Sequence, residues 1–303
     1  MRLRRSVLAV PGSNMKMMQK ASESTADEVF LDIEDAVAPS QKEAARPNIV
    51  KALKEFTWGD KVRVVRINDL RTKWAYRDLI EVVEQAGDRI DVIMIPKVNS
   101  PQEVFMVDRL LTQIEEYKGF SRRIGLEAQI ETAAGLACVE EIGQASPRLE
   151  TLVWGPGDYA ASAGMRMLSI GAHKLTYPGH VWHYIMARIV GAAKAAGLQA
   201  IDGPYAAIED LEGFRESALL ASMLGYDGKW AIHPSQVDPC NEIFSPTREE
   251  LEHAERIVRE YTTATEESGL GAIAMNGEMV DAATLKMAEL VVAKAKACGL
   301  RKK

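Results

Sequence analysis

Residues 91–130 read DVIMIPKVNSPQEVFMVDRLLTQIEEYKGFSRRIGLEAQI. Asp91–Ile95 is a short apolar run closed by Pro96, and a run of that length bounded by a breaker reads as a buried strand. From about Gln102 to Tyr117 the apolar residues Val104, Val107, Leu110, Leu111 and Ile114 recur at helical spacing, which makes one apolar stripe on a helix. Ile124–Ile130 is a second short strand. Strand, helix and strand in that order make a crossover between parallel strands.

The same unit repeats in both directions from this stretch. Upstream lie Ser6–Val10 closed by Pro11-Gly12, Glu28–Ile33, a helix from about Ser40 to Phe56, Lys61–Ile67, and a helix from about Trp74 to Ala86. Downstream come a helix through Ile142, strand Glu150–Trp154, an insertion over Gly155–Gly179, helix Val181–Ala196, strand Gln199–Ile201, helix Leu211–Leu224 and strand Lys229–Ile232. Eight strands with crossovers over residues 1–235 suggest an α/β fold of the (β/α)8 TIM-barrel type. An open doubly wound sheet is the alternative. Against it, the turn after the first strand is Pro11-Gly12-Ser13-Asn14 with no GxGxxG, and no GxxxxGK[ST] occurs anywhere. Residues 236–303 hold a charged helix (Thr247–Thr263), a Gly-rich hinge (Gly269, Gly271, Gly277) and a last helix (Asp281–Ala297), with no strand of their own. They read as a C-terminal helical lid extension that packs on the barrel or on a neighbouring subunit.

Composition narrows the function classes. The 303 residues are 47% hydrophobic, enough for a substantial core, and the charges (37 Lys+Arg against 43 Asp+Glu, net −6) give no support to nucleic acid as a partner. Cys138, Cys240 and Cys298 are odd in number and far apart, so neither a disulfide framework nor a zinc ribbon is expected. The opening MRLRRSVLAVPG has an apolar stretch too short for a secretory signal, and no apolar run approaches the roughly 18 residues of a membrane span. The expected location is the cytoplasm, with no membrane partner.

Reactive groups of such a barrel gather just past the C-terminal ends of its strands. There the sequence offers Asp32-Ile33-Glu34-Asp35, Arg66 and Asn68, Lys97, Gln129 and Glu131, Gly155-Pro156-Gly157-Asp158, Asp202 and His233. Converging carboxylates repel unless a cation joins them, and oxygen donors without Cys suit Mg²⁺, with Mn²⁺ as the alternative, rather than zinc. Glu131 and Asp158 end adjacent strands and can reach one ion from the same side, and the Gly155–Gly157 turn lets backbone approach a ligand. The competing reading makes these acids helix caps or supporting partners. Lys97 is weighed as a Schiff-base lysine against an ion pair within the acidic ring, the latter preferred. His180 and His183 have metal-like spacing but no third ligand, so packing or capping is preferred for them.

The strings RSVLAVPGSN, LDIEDAV, VRIN, PKV, QIET, GPGDYAAS, AIDGP and GKWAIHPSQV, in that order along the chain, resemble the HpcH/HpaI aldolase–citrate lyase β-subunit family. Within it the wording around Tyr177–Tyr184, GKWAIHP at Gly228–Pro234 and NGEMVDAA at Asn276–Ala283 looks most like malyl-CoA, β-methylmalyl-CoA and citramalyl-CoA lyases. The tail is taken to argue against citrate lyase subunits proper. The resemblance implies a TIM barrel assembled as a homotrimer or hexamer. It implies Mg²⁺ held by Glu131 and Asp158, and Arg66 on the substrate's oxygens with Gly157 and Asp158 beside it. Glu34 and Asp35 would flank the metal's water shell, and Asp281 would be delivered into a neighbouring subunit's site. Arg5 and Lys20 are the candidates for holding a CoA thioester. The implied reaction is reversible cleavage of a β-hydroxyacyl-CoA into a 2-keto acid and acetyl-CoA or propionyl-CoA. The rivals are a malyl-CoA thioesterase, a metal-dependent aldolase acting on free acids, and a non-catalytic barrel.

Overall fold

The computed structural model describes residues 2–166, 170 and 180–300. Residues 167–169 and 171–179 of the insertion, among them Tyr177–Gly179 of the string used above, lie outside the described residues. Eight parallel strands close into a barrel in sequence order: β1 (Ser6–Pro11), β2 (Glu28–Asp32), β3 (Val62–Arg66), β4 (Val92–Ile95), β5 (Gly125–Ile130), β6 (Leu149–Trp154), β7 (Gln199–Asp202) and β8 (Gly228–Ala231). The first strand pairs with β2 on one side and with β8 on the other, which excludes an open sheet.

In β4, Ile93 and Ile95 join the large core between strands and helices, whereas Val92 and Met94 point into the barrel. Both faces are buried, so the sequence shows a continuous apolar run rather than alternation. The barrel interior changes character along its axis. Near the strands' N-terminal ends the buried Arg4 donates to Glu28 (2.6 Å), Gln199 (2.7 Å) and Glu150 (2.6 Å). Val7, Phe30, Val64, Met94, Val153, Ile201 and Trp230 fill the middle. Acids and Arg66 occupy the C-terminal mouth.

The helices follow their local signals. Pro101–Lys118 begins with an extended Ser100 and Pro101 in its first turn, and ends at Gly119 in the left-handed conformation (φ +67°). The stretch expected as one helix from Trp74 to Ala86 contains a wide π-type turn at Asp78–Val82. The Asp78 carboxylate accepts from Asn68 N (2.9 Å), Asn68 Nδ2 (2.6 Å) and Arg46 Nε (2.8 Å), so this irregular turn is tied to the mouth. The helix expected through Ile142 is two short ones, Ala133–Ala137 and Val139–Gly143.

The chain divides into two compact units, Met1–Phe244 and Ser245–Lys303. The boundary falls after Phe244 rather than after residue 235, because Val237, Cys240 and Phe244 are buried in the barrel's outer core. The second unit has its own core of Ala254, Ile257, Tyr261, Met275, Val280 and Ala288. It contains helix Arg248–Ser268, capped reciprocally by Thr247 and Glu250, and helix Ala282–Ala297. Between them lies an antiparallel hairpin, β9 (Ala272–Met275) and β10 (Glu278–Asp281), which corrects the strand-free reading of the tail. Gly269 caps a helix C-terminus, and Asn276-Gly277, both at positive φ, form the two-residue hairpin turn.

Among the described residues no helix is long and apolar enough to cross a membrane. The three cysteines are unpaired.

Candidate active site

Strand register places the first pair. Asp32 and Arg66 are direct neighbours at the ends of β2 and β3. The Arg66 guanidinium is buried and donates from Nε and Nη2 to both oxygens of Asp32, at 2.7 Å each. Its carbon lies over the packed rings of Phe30 and Trp230, 5.4 Å from each, with the two ring centroids 4.8 Å apart. One fork of Arg66 is therefore spent inside the protein. The Nη1 end faces Gln129 Oε1 (3.4 Å) and Glu34 Oε2 (3.3 Å), toward the other acids of the mouth.

Asp32 also shapes the loop that follows. Its oxygens accept from the backbone N–H of Glu34 (2.8 Å) and Ala36 (2.9 Å). The Lys42 ammonium sits beneath that loop and donates to Ile33 O (3.0 Å), Glu34 O (2.8 Å) and Asn68 Oδ1 (2.6 Å). These bonds hold the buried Glu34 carboxylate at the mouth, with Asp35 beside it and more exposed.

Glu131 follows the end of β5 and is buried; Asp158 stands in the first turn of helix Pro156–Ser162 after β6. Gln129 Nε2 donates to Glu131 Oε2 (2.5 Å), and the backbone N–H of Lys97 donates to Oε1 (2.7 Å). Gly155 makes room for this carboxylate, since a Cβ there would lie 2.4 Å from Glu131 Oε2. The Lys97 ammonium donates to Glu34 and to Asp35 (3.0 Å) and lies 3.6 Å from Asp158 Oδ1.

The electrostatics follow from burial against pairing. Burial pushes the Glu131 carboxyl up to about 8; Arg66 opposes this and the Asp158 carboxylate adds to it. Burial raises Glu34 to about 7, against the pull of Arg66 and Lys97. Burial disfavours the charged form of Asp35 too, but its bonds with Glu34 and Lys97 outweigh that and hold it below the usual carboxylate range. Arg66 and Lys97 are desolvated, yet the acids around them keep both firmly cationic. An ammonium held by carboxylates is a poor Schiff-base nucleophile, so Lys97 takes the ion-pair role.

No three His, Cys, Asp or Glu side chains among the described residues form a metal cluster by themselves. Glu131 and Asp158 would offer an ion two carboxylates, and water and substrate would have to complete its coordination. That donor set fits Mg²⁺, which keeps several waters and takes one or two carboxylates.

Gly157 lies beside Asp158 in the first turn of its helix. Arg5 precedes β1, at the end of the barrel opposite the mouth, and is clamped to Asp27 (both contacts 2.8 Å). Lys20 is in the last turn of helix Met15–Ser22, which runs back from the mouth toward that same end. Neither belongs to the acid ring. Nearness to β1 in sequence does not say which end of the strand a residue occupies. Asp281 lies in the second unit, where it caps helix Ala282–Ala297 by accepting from Ala283 N (2.9 Å) and Thr284 N (3.0 Å). Those N–H donors, that of Thr284 foremost, hold its pKa below the usual range. Asp202 bonds the buried Lys229 (2.6 Å) and faces a cavity of about 650 Å³ with Trp154, Trp182 and Tyr205. None of Arg66, Glu131 or Asp158 lines that cavity. His233 is exposed and accepts from Ser235 N. Sequence reading missed the roles of Asp32 and Lys42. The period-2 sequence Glu28, Phe30, Asp32 on one strand face was the available signal for Asp32.

Residues 5–234 match the pattern of the HpcH/HpaI aldolase/citrate lyase family. The chain belongs to this family. An L-malyl-CoA/β-methylmalyl-CoA lyase from Rhodobacter capsulatus is 44% identical over 303 residues, covering 97% of this chain and 95% of that one. The β subunit of citrate lyase from Haemophilus influenzae is 36% identical and covers 99% of both chains. A solved HpcH/HpaI-family relative, the protein CitE from Mycobacterium tuberculosis in complex with magnesium, acetoacetate and coenzyme A, has a TM-score of 0.76. It is 30% identical, covering 97% of this chain and 98% of its own. The family and lyase class expected from the motifs agree with these relatives. One sequence argument does not hold: a citrate lyase β subunit aligns along the whole chain, so the tail does not separate the two kinds of family member.

Proposed function

We propose that this chain is a Mg²⁺-dependent carbon–carbon lyase acting on a malyl-CoA-type β-hydroxyacyl-CoA. It releases a 2-keto acid, glyoxylate or pyruvate, together with acetyl-CoA or propionyl-CoA. The observation that carries this reading is the mouth itself, where Arg66, locked by Asp32, faces the carboxylates of Glu131 and Glu34 with Asp158 alongside. The 44% identity to a malyl-CoA lyase supports the substrate class.

In cleavage the bond between the hydroxyl-bearing carbon and the acyl α-carbon breaks. The hydroxyl loses its proton and becomes the keto oxygen, and the electron pair passes to the α-carbon as a thioester enolate, which then takes a proton. Glu131 and Asp158 would hold the Mg²⁺, which would supply Lewis-acid polarisation of the substrate's oxygens. The Nη1 end of Arg66 binds those oxygens where negative charge gathers. Phe30 and Trp230, both buried, lie together under the guanidinium and exclude water there. Glu34 and Asp35 border the same space, held by Lys97. We assign the proton at the α-carbon to Asp281, supplied by a neighbouring subunit of a trimer or hexamer. Three unpaired thiols support a cytoplasmic enzyme.

Purified protein incubated with malyl-, methylmalyl- and citramalyl-CoA should yield a keto acid and a shorter acyl-CoA by mass. EDTA should abolish turnover and Mg²⁺ or Mn²⁺ restore it. Free CoA and malate without glyoxylate would instead mark a thioesterase. For the shared site, Asp281→Asn still caps the helix but carries no proton. It should keep near-normal thermal stability and lose activity roughly 10²-fold or more. Mixing it with inactive Asp158→Ala subunits should regenerate activity; exchanged hetero-oligomers that stay dead would remove Asp281 from a neighbour's site.

A further inference from the structure

We propose that Lys97 is a tethered cation that competes with the divalent metal for the acid ring and holds that ring together when the metal is absent. The inference rests on Glu131 and Asp158 as the metal's ligands and goes beyond it. Three independent features of one residue carry it. First, Lys97 has φ +51°, a left-handed backbone that side-chain-bearing residues rarely adopt. Second, its backbone N–H bonds Glu131 Oε1 at 2.7 Å, fixing one proposed ligand. Third, its ammonium bonds Glu34 and Asp35 and approaches Asp158, the other proposed ligand, to 3.6 Å. An isolated surface ion pair would need no such backbone.

The charge balance gives the arrangement its meaning. Five carboxylates (Asp32, Glu34, Asp35, Glu131 and Asp158) meet Arg66, Lys97 and, beneath the loop after β2, Lys42. The first cation is immobilised by Asp32 and two rings, whereas Lys97 carries its charge on a flexible stem. With no divalent ion present, the ammonium offsets repulsion among the acids. When an ion takes Glu131 and Asp158, the ammonium keeps Glu34 and Asp35 and gives up Asp158. Lys97 is thus a positioning residue whose charge lowers metal affinity while stabilising the metal-free fold.

Lys97→Met keeps the backbone N–H and most of the stem and removes only the charge. Mn²⁺ binding is read by electron paramagnetic resonance of the free ion, and Tm is read in EDTA and in saturating Mg²⁺. We expect Mn²⁺ to bind about tenfold more tightly than to wild type, since a like charge has gone. The variant's Tm should fall in EDTA and return close to wild type in Mg²⁺. A variant that folds only with Mg²⁺ present gives the same answer in stronger form. Lys97→Asn, which suits the left-handed backbone, repeats the test with a different side chain. Unchanged or weaker Mn²⁺ binding in a folded variant overturns the inference, as does failure of both variants to fold even with Mg²⁺. The underlying reading fails separately: wild type would then bind no Mn²⁺, or bind it undiminished in Asp158→Ala.

Discussion

Arg66 shows how much a single side chain is specified by its surroundings. Two bonds to Asp32 and the pair of rings beneath it fix its position, and its Nη1 end faces Gln129 and Glu34. Lysine would keep the charge and lose the fork, so Arg66→Lys should lower kcat/KM at least about tenfold, or roughly 1.4 kcal/mol of transition-state stabilisation. Steady-state kinetics check this, and wild-type values would remove Arg66 from the chemistry. Gly155 is the complementary case, a residue chosen for what it lacks. Its missing side chain accommodates Glu131, whose Cβ and Oε2 would each lie 2.4 Å from an added Cβ. Gly155→Ala should displace that carboxylate and weaken Mn²⁺ binding by about tenfold or more, with a drop in Tm. Calorimetric titration with Mn²⁺ is the measurement, and unchanged affinity would mean that Glu131 is not a ligand.

Between elements, the strands are tied at the end away from the mouth by acid–arginine clamps. Asp91, just before β4, accepts from Arg63 N (2.9 Å) and Nε (2.8 Å) on β3 and from Arg122 Nη1 (2.6 Å) ahead of β5. Burial disfavours its charge, but the bonds from Arg63 and Arg122 prevail and lower its pKa to about 2. A carboxylate depressed in the folded state contributes stability above its unfolded pKa of about 3.9 and loses it as pH falls through the folded value. Asp91→Asn should therefore cost about 2 kcal/mol near neutral pH, and the difference should vanish between about pH 4 and pH 2. Urea melts at several pH values test this; a cost that persists at pH 2 would assign it to packing rather than charge.

For the whole molecule, the floor of the barrel carries a charge imbalance. Fully buried Glu28 and Glu127 share Arg4, which lies 3.0 Å from Glu127 and 2.6 Å from Glu28. Burial raises the Glu127 pKa, with Glu150 adding to it and Arg4 opposing. The sign is opposite to that of Asp91. Stability from Glu127 is fully present below its unfolded pKa of about 4.3 and is lost as pH rises toward the folded value. Glu127→Gln has no charge to bury, so its stability relative to wild type should grow from pH 4 to pH 8. Denaturant midpoints across that range decide it; a constant difference would show that Glu127 does not titrate there.

The closed barrel was legible in residues 91–130 and their repeats, because a buried parallel strand and an amphipathic helix each leave a local period in the chain. The C-terminal ends of those strands then located Glu34, Arg66, Lys97, Glu131 and Asp158 at one mouth. Family motifs, also local, named the chemistry. Tertiary structure alone decided what depends on register and direction across the barrel. Asp32 and Arg66 are 34 positions apart and become partners only because β2 and β3 pair in that register. Arg5 and Lys20 lie away from the acid ring, and nearness to β1 in sequence does not reveal which end of the barrel a charge occupies. The β9–β10 hairpin was hidden in two four-residue strands, although Asn276-Gly277 was its signal. Lys97 could be suspected from sequence as an ion pair. Its left-handed backbone, binding Glu131 with one group and Glu34 with another, exists only where β4 and β5 and the loop after β2 come together in the fold.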